Sequence, residues 1–326
     1  MANLLITWRC NRHCTYCFAR DRVASGAPPA GAAPQSGSEL DLGRLDRVLA
    51  FVKRSRLTEI GLLGGEPGLH PDFAPMVDRL LGAGLNVRLF TGGLIPAKAA
   101  RYLAATDPER VRIVINVPGP GDLGPEPDGT LFEQTLRLLA GRGTLGYTLR
   151  DADQDLRFLA ELADTYRMKT HPMRLGLASP CVDDSKPPML PIDCYPRVAR
   201  RILELGEACT RRQVAVEFDC GFPRCLFNDA EHEQLRAMNV QTVFACCPVI
   251  DIGPDLNVWS CFPLKALGEV ALGDDQTRED LVTHFGRQQR AYRNLGIYDR
   301  CMDCLHKRTG ACAGGCLAHV IRSFTP

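Results

Sequence analysis

The sequence predicts an α/β protein, a partial (β/α)6 barrel followed by a small cysteine-rich α+β domain. The first observation is that short apolar runs alternate with segments of helical periodicity along most of the chain. Such alternation is typical of right-handed βαβ units and a parallel sheet. The second observation is a change beyond residue 212, where cysteines become frequent and strands become shorter. We therefore predict two domains, residues 1–212 and 213–326.

The elements of the first domain follow one another in a regular order. Apolar runs rich in β-branched residues predict six strands: Asn3–Trp8, Glu59–Leu63, Asn86–Thr91, Arg112–Val117, Thr144–Leu149 and Met173–Ala178. Helical periodicity predicts helices at 40–55, 72–83, 95–105, 130–141, 152–167 and 193–208. Residues 24–38 are rich in Ala, Gly, Pro and Ser, which predicts a loop that is either a disordered surface segment or a lid. Ligands are expected at the carboxyl ends of the parallel strands.

Composition and charge exclude several classes of protein. Lys and Arg total 39 and Asp and Glu total 38 in 326 residues, so the net charge of +1 gives no electrostatic case for a nucleic-acid or membrane partner. The chain contains no run of about 18 apolar residues, so no membrane span is predicted. The first residues resemble a strand rather than a signal peptide, and we expect a cytoplasmic protein. Cytosolic thiols stay reduced, so its 15 cysteines indicate metal binding rather than disulfides.

Three cysteines follow the first predicted strand in the pattern Cys10-x3-Cys14-x2-Cys17. Three thiolates on one short loop can hold three irons of a 4Fe–4S cube, which leaves the fourth iron open to another ligand. A structural zinc site needs four closed ligands, and His13 is poorly placed to be the fourth because it is adjacent to Cys14. The spacing therefore favours a cluster with one open iron over structural zinc.

Glycines and polar residues follow the next strands at their carboxyl ends. These candidates are, in chain order, Gly64, Gly65, Glu66, Pro67, Thr91, Asn116 and Arg150. Glycines let the backbone approach a ligand closely, and the Glu66 carboxylate can accept hydrogen bonds from an ammonium group. The guanidinium of Arg150 suits a carboxylate. For Asn116 and Arg150 the alternative is a solvated or capping polar group.

The cysteine spacing and the Gly-Gly-Glu-Pro turn at 64–67 resemble those of the radical S-adenosylmethionine (SAM) superfamily. The resemblance includes an aromatic residue before the last cysteine, here Tyr16. It implies that SAM chelates the open iron, that the turn binds the amino group of SAM, and that further cofactor contacts come from Tyr16, Thr91, Asn116 and Arg150. In that superfamily the reduced cluster cleaves SAM to a 5′-deoxyadenosyl radical, which abstracts hydrogen from a substrate carbon.

A second concentration of cysteines lies near the C-terminus. It comprises Cys246, Cys247, Cys261, Cys301, Cys304, Cys312 and Cys316. The last four lie within 16 residues, which indicates metal, and their spacing alone leaves zinc and iron–sulfur open. The layout resembles the SPASM/twitch extension of radical SAM enzymes, which holds one or two auxiliary 4Fe–4S clusters.

The SPASM/twitch resemblance implies alternative ligand sets. One cluster would be shared by Cys247, Cys261 and Cys316, with its fourth ligand open among Cys220, Cys225 and Cys246. A second would be held by Cys301, Cys304 and Cys312, with one open or non-cysteine site. A single-cluster version would use Cys247, Cys261, Cys301 and Cys304. The long interval from Cys304 to Cys312 and the end of the chain ten residues after Cys316 favour one fully ligated auxiliary cluster.

The remaining cysteines carry weaker signals. Cys220 and Cys225 are each a ligand, a hydrogen donor or an inert thiol, and the sequence does not choose among these. Cys181, Cys194 and Cys209 are expected to be structural.

The expected function is that of a radical SAM enzyme of the oxidoreductase type. Its substrate would be a ribosomal peptide that is crosslinked or oxidised, or alternatively a small molecule such as a sugar. An external one-electron donor such as flavodoxin or ferredoxin is expected, and no nucleic acid or membrane. Because the first strand lies at the start of the sequence, we expect a peptide to need a separate carrier or a direct groove. The alternative of another class is a non-enzymatic iron–sulfur or zinc protein.

Overall fold

The computed structural model describes residues 1–19, 24–25, 38–119, 123, 128–183 and 190–324. Of the loop predicted at 24–38, residues 26–37 lie outside the described residues, so the lid hypothesis stays a prediction. Within the described ranges, no helix is both long and apolar enough to cross a bilayer.

The strands and helices follow the predicted order. The strands are β1 (Ala2–Leu5), β2 (Arg9–Cys10), β3 (Ala24–Ser25), β4 (Glu59–Leu63), β5 (Asn86–Thr91), β6 (Val111–Asn116), β7 (Gly143–Leu149), β8 (Met173–Leu177), β9 (Val216–Phe218), β10 (Val240–Gln241), β11 (Ile250–Ile252), β12 (Asn257–Ser260) and β13 (Val270–Ala271). The helices are α1 (Leu42–Arg54), α2 (Phe73–Gly82), α3 (Ala97–Ala105), α4 (Asp128–Leu138), α5 (Arg157–Thr165), α6 (Tyr195–Arg211), α7 (Asp229–Ala237), α8 (Arg278–Arg293), α9 (Leu305–Arg308) and α10 (Leu317–Phe324). Every strand and helix predicted for the first domain is present, with ends displaced by a few residues.

Helix α1 shows why the hydrophobic periodicity located these elements. The Asp41 side chain accepts a hydrogen bond from the backbone N–H of Arg44 at 2.8 Å, which caps the first turn. Leu45, Val48 and Val52 recur on one face of the helix and are buried. An amphipathic helix of this kind is stable because its apolar face packs against the rest of the protein.

The chain divides into two compact units. Unit 1 comprises Met1–Gly143 and Pro248–Gly286, and unit 2 comprises Thr144–Cys247 and Arg287–Pro326. The functional division between residues 1–212 and 213–326 stays a prediction.

Unit 1 is built on a sheet that has β1 near its middle. Strand β1 pairs in parallel with β4 on one side and with β11 on the other. Strands β5 and β6 extend the sheet in parallel beyond β4, while β12 and β13 extend it antiparallel beyond β11. Asn3 and Asp251 are neighbours in the β1–β11 register, and Asn3 Nδ2 donates to Asp251 Oδ1 at 2.8 Å. The carboxyl ends of β1, β4, β5 and β6 consequently lie along one edge.

Unit 2 contains a second run of parallel strands in the order β7, β8, β9 and β10. Helix α6 buries Val198, Ile202 and Leu205 along one face. The cysteine-rich end of the chain contributes the short helices α9 and α10, joined by turns. The parallel pairing in both units confirms the predicted α/β class, because helices connect successive parallel strands.

Candidate metal and cofactor sites

The first three predicted ligands lie in one loop at the carboxyl end of β1, residues Cys10–Cys17, called here the thiol loop. The Cys17 N–H donates to the Cys14 carbonyl at 3.1 Å, and the Arg12 N–H donates to the Cys10 sulfur at 3.4 Å. Burial, with smaller contributions from the charges of Glu66, Cys14 and Cys17, raises the pKa of Cys10 to about 11. The three thiols are thus close enough to influence one another.

The two glycines after β4 allow their backbone to lie directly against the chain that leads into the thiol loop. The Gly65 N–H donates to the Thr7 carbonyl and the Glu66 N–H to the Arg9 carbonyl, both at 2.7 Å. A Cβ atom on Gly65 would lie 2.2 Å from the Arg9 oxygen, and one on Gly64 would lie 2.7 Å from the Thr7 oxygen. Only glycine fits such an approach, since no side chain can occupy that space.

Glu66 is the centre of a hydrogen-bond network at the same edge. Its side chain is 1% exposed and accepts hydrogen bonds from Thr91 Oγ1 at 2.8 Å, Gly92 N at 2.7 Å and Gly68 N at 3.3 Å. Burial raises the pKa of Glu66 to about 7, although these donors and the charge of Arg12 favour the carboxylate. Two predicted cofactor-binding residues, Glu66 and Thr91, are therefore brought into direct contact.

Asn11 and Arg12, neither of which was predicted as a site residue, connect the thiol loop to the neighbouring strands. Arg12 Nη1 donates to the Gly92 carbonyl at 3.0 Å and to the Asn116 carbonyl at 2.9 Å. Asn11 Nδ2 donates to the Leu94 carbonyl at 2.7 Å. The loop is thereby held across the ends of β5 and β6. The sequence shows only that Arg12 is a basic residue between two cysteines, and a solvated surface arginine would give the same pattern.

The other predicted cofactor residues are distributed between the units. Tyr16 lies within the thiol loop and is half-buried, and Asn116 ends β6 and contributes its carbonyl to Arg12. Arg150 directly follows β7, in unit 2. Pro67 begins a short 3-10 turn, Pro67–Leu69, directly after Glu66.

These residues fit a 4Fe–4S cluster together with SAM. Three thiols on one loop can each bind a different iron. Arg12 Nη2 is buried and has no hydrogen-bond partner among the described residues, which suits an anionic group, while the Glu66 carboxylate suits an ammonium group. Both flank Gly92, where an added Cβ would lie 2.8 Å from Arg12 Cδ and 3.3 Å from Glu66 Oε2. The methionine part of SAM carries one group of each kind.

Unit 2 contains a first group of thiols around the predicted ligand Cys316, called here the Cys316 group. Its members are Cys220, Cys246, Cys247 and Cys316. The Cys246 thiol donates to the Cys316 sulfur, which raises the pKa of Cys246 and lowers that of Cys316 to about 6. Burial, with smaller contributions from Asp219 and Cys316, raises the pKa of Cys220 to about 12. The sequence had left Cys220 and Cys246 without a definite role.

Three further predicted ligands, Cys301, Cys304 and Cys312, lie in one turn-rich segment of unit 2. The Cys304 N–H donates to the Cys301 carbonyl at 3.3 Å, and the Gly314 N–H donates to the Cys312 sulfur at 3.2 Å. Cys301 and Cys312 are buried, and burial is the first cause of a raised pKa at Cys301.

The last predicted ligand, Cys261, belongs to unit 1 and directly follows β12. Its φ is 60°, and its N–H donates to the Val249 carbonyl at 2.7 Å. Across the described part of the chain, no three His, Cys, Asp or Glu side chains are grouped so that they could hold a metal ion.

Sequence comparison finds one matching family model. Residues 4–150 match the model of the radical SAM superfamily. An S-adenosylmethionine-dependent nucleotide dehydratase of Selenomonas ruminantium is 34% identical over 92 residues, which are 28% of this chain and 29% of that protein. The mycofactocin maturase MftC of Mycobacterium tuberculosis is 29% identical over 112 residues, 34% of this chain and 26% of that protein. The chain therefore matches less than a third of the length of these curated relatives.

Solved structures resemble nearly the whole chain. The structure described as native anSMEcpe with bound AdoMet has a TM-score of 0.64 and 14% identity, over 96% of this chain and 88% of that chain. Streptococcus suis SuiB bound to S-adenosylmethionine has a TM-score of 0.62 and 14% identity, over 98% of this chain and 74% of that one. At such identity the likeness shows a shared fold. Residues 4–150 therefore form a radical SAM domain, and the C-terminal cysteine-rich region fits a SPASM-type extension.

Proposed function

We propose that the protein is a radical SAM enzyme that cleaves SAM reductively and abstracts hydrogen from a substrate carbon. The observation that carries this proposal is the thiol loop, whose three cysteines lie beside the buried carboxylate of Glu66 and are held there by Arg12. When bound, the cluster and SAM supply the one-electron cleavage and the hydrogen abstraction, so the protein has to position and shield them.

Each part of the site has a definite task in this proposal. Cys10, Cys14 and Cys17 hold the cluster and leave one iron for SAM. Glu66, already bonded to Thr91 and to two backbone N–H groups, retains acceptor capacity for the ammonium group of SAM. The Nη2 of Arg12, which has no partner among the described residues, would donate to the SAM carboxylate, a role for which Arg150 was one candidate from the sequence.

For the substrate we propose a ribosomally made peptide, with crosslinking or oxidation as the outcome. Support comes from the relatives, since one is a mycofactocin maturase and another structure with a TM-score of 0.63 is SuiB bound to its precursor peptide SuiA. The thiols of unit 2 would hold auxiliary 4Fe–4S clusters that accept the electron released by the oxidised substrate. An external donor such as flavodoxin or ferredoxin would reduce the first cluster.

The central experiment is anaerobic reconstitution with iron and sulfide, followed by addition of reductant and SAM. We expect release of 5′-deoxyadenosine, measured by liquid chromatography and mass spectrometry. Cys14→Ala should abolish it, because the cluster then loses one of its three ligands. Cys194→Ala is the matched control, because the Cys194 sulfur lies away from the thiol loop in the sequence and accepts a hydrogen bond from Arg197 Nη2 at 3.1 Å, and the release should persist. Intact SAM in a fully loaded wild-type protein would remove the proposal.

A second candidate substrate is a nucleotide or another small molecule. It is favoured by the 34% identity to a nucleotide dehydratase, which is higher than the 29% identity to the mycofactocin maturase. Deuterated substrates separate the two candidates, because hydrogen abstraction transfers the label into 5′-deoxyadenosine. If deuterium enters 5′-deoxyadenosine from a nucleotide but not from any peptide encoded by a neighbouring gene, the nucleotide replaces the peptide as the proposed substrate.

A further inference from the structure

Cys225 lies beside the Cys301–Cys312 segment, although the two are far apart in the sequence. It sits in a single 3-10 turn, Arg224–Leu226, in unit 2. The Arg224 N–H, next to Cys225, donates to the Cys312 sulfur at 3.4 Å. In the opposite direction, Arg300 Nη2 approaches the Cys225 sulfur at 3.6 Å. Cys312 is therefore in contact with the residue before Cys225, and Cys225 is in contact with the residue before Cys301.

The backbone holds Cys301, Cys304 and Cys312 in one turn-rich segment. The Cys304 N–H donates to the Cys301 carbonyl at 3.3 Å, and the Cys312 N–H donates to the His306 carbonyl at 3.0 Å. Arg224 and Arg300, which precede Cys225 and Cys301, make the contacts that join this segment to Cys225. Four cysteines from two segments thus lie in one region of unit 2.

Basic side chains surround this set of sulfurs. Arg300 lies over the ring of Tyr298, with 4.7 Å from its guanidinium carbon to the ring centroid, and Arg224 Nε is 3.4 Å from His306 Nε2. These side chains place positive charge beside sulfurs that would carry the negative charge of a thiolate-ligated cluster.

Cys220 and Cys225 separate into different sets within five residues. Cys220 belongs to the Cys316 group, while Cys225 lies against Cys312 and Arg300. Between them, Gly221 has a φ of 95°, and an added Cβ there would lie 3.3 Å from the Cys316 Cβ. This left-handed turn, accessible to glycine, lets the chain leave one set and enter the other.

We propose that Cys225 is the fourth ligand of an auxiliary iron–sulfur cluster held by Cys301, Cys304 and Cys312. The choice of iron–sulfur rests on the proposed function, whereas the ligand set rests on the contacts. With four thiolates every iron has a protein ligand, so this cluster carries electrons and binds no substrate. From the SPASM/twitch resemblance alone, this position was expected to be open or occupied by a residue other than cysteine.

The test measures cysteine protection in the full chain. Wild-type protein, metal-free or anaerobically reconstituted, is treated with iodoacetamide under native conditions, and each alkylated cysteine is quantified by mass spectrometry. Cys225 is exposed in the polypeptide, so we expect it to react in the metal-free form and to be protected at least tenfold after loading. Cys194 is the internal control and should react equally in both forms. Equal reactivity of Cys225 in both forms would overturn the proposal.

A variant supplies the second readout. In a Cys14→Ala background, which removes the first cluster, Cys225→Ala should lower the remaining iron and change the electron paramagnetic resonance spectrum of the reduced protein, while Cys194→Ala should do neither. Unchanged iron and spectrum, or zinc in place of iron, would overturn the proposal. Neither measurement uses SAM, so a protein that fails to cleave SAM but protects Cys225 would remove the proposed function and leave this ligand set intact.

Discussion

The two cysteine regions of this chain bring their thiols together by different means. In unit 1 all three ligands lie in the thiol loop, within eight residues, and the loop is held by bonds to the ends of neighbouring strands. In unit 2 the thiols come from residues 220–247 and 301–316, which only folding brings into contact. The first site therefore depends on local spacing and close backbone approach, while the second depends on contacts between distant segments.

Three carboxylates of the two units differ in their surroundings. In unit 1, burial raises the pKa of both Glu66 and Asp251 to about 7. In unit 2, hydrogen bonds from Arg157 lower the pKa of Asp155 to about 2. Glu66 and Asp251 thus lie where water is excluded, whereas Asp155 lies beside the exposed guanidinium of Arg157.

The largest expected effect is on the pH dependence of unit 1. Burial raises the pKa of Asp251 from 3.8 to about 7. The contribution of protonated Asp251 to the free energy of unfolding is therefore complete below about pH 4 and is lost as the pH rises to about 7. This contribution is at most about 4 kcal/mol. Asp251→Asn should flatten this decline in the free energy of unfolding of the metal-free protein, measured by urea titration at several pH values.

Asp155→Asn is the matched change in unit 2. Because the pKa of Asp155 is lowered to about 2, ionised Asp155 stabilises the fold fully above about pH 4, and this contribution is lost only as the pH falls to about 2. The change in the free energy of unfolding between about pH 4 and 7 should therefore remain that of the wild type. Equal slopes in wild-type protein and Asp251→Asn would contradict the contrast between the units.

The next effect tests the close approach beneath the thiol loop. Gly65→Ala places a Cβ 2.2 Å from the Arg9 oxygen, a backbone atom, so the two chains must separate. We expect the free energy of unfolding to fall by about 1–3 kcal/mol and the first cluster to be lost, with auxiliary iron retained. Gly82→Ala, which meets nothing within 4 Å, is the control. Loss of all iron in Gly65→Ala would show that the two cysteine regions are not independent.

The matching test in unit 2 is Gly296→Ala. An added Cβ would lie 2.4 Å from the Cys301 Cβ and 2.6 Å from its sulfur, and because that Cβ is fixed to the backbone, the turn that carries Cys301 must move. We expect a loss of auxiliary iron with a destabilisation of about 1–3 kcal/mol. Gly286→Ala, which has open space around the added Cβ, should lower neither the auxiliary iron content nor the stability. Both variants are compared by iron analysis and thermal unfolding, and unchanged auxiliary iron in Gly296→Ala would contradict the prediction.

The smallest effect concerns a single hydrogen bond. Thr91→Val removes the hydroxyl that donates to Glu66 at 2.8 Å and accepts from the Gly93 N–H at 3.0 Å. We expect a loss of about 1 kcal/mol in stability and weaker binding of SAM, measured by isothermal titration calorimetry under anaerobic conditions. Thr210→Val, which removes only a bond from Oγ1 to the Gly206 carbonyl, should leave SAM binding unchanged.

Features that depend on near neighbours were predictable. The strands and helices of the first domain follow from periodicity, because burial of one face repeats every two residues in a strand and about every 3.6 in a helix. The thiol loop and the turn at 64–67 follow from spacing, and Thr91 follows from its place at a strand end. The sequence could not show that Thr91 donates to Glu66, since that contact joins the ends of two separate strands.

The amino-acid sequence by itself determined the parallel α/β class, the three-thiol loop and the Gly-Gly-Glu-Pro turn after the second predicted strand. The tertiary structure alone decided that β11 pairs with β1, that Arg12 holds the thiol loop across two strand ends, and that Cys225 lies with Cys312 rather than with Cys220. The physical reason is that periodicity and ligand spacing are encoded among near neighbours, whereas a carbonyl or a thiol accepts any suitable donor, and only folding decides which donor is near.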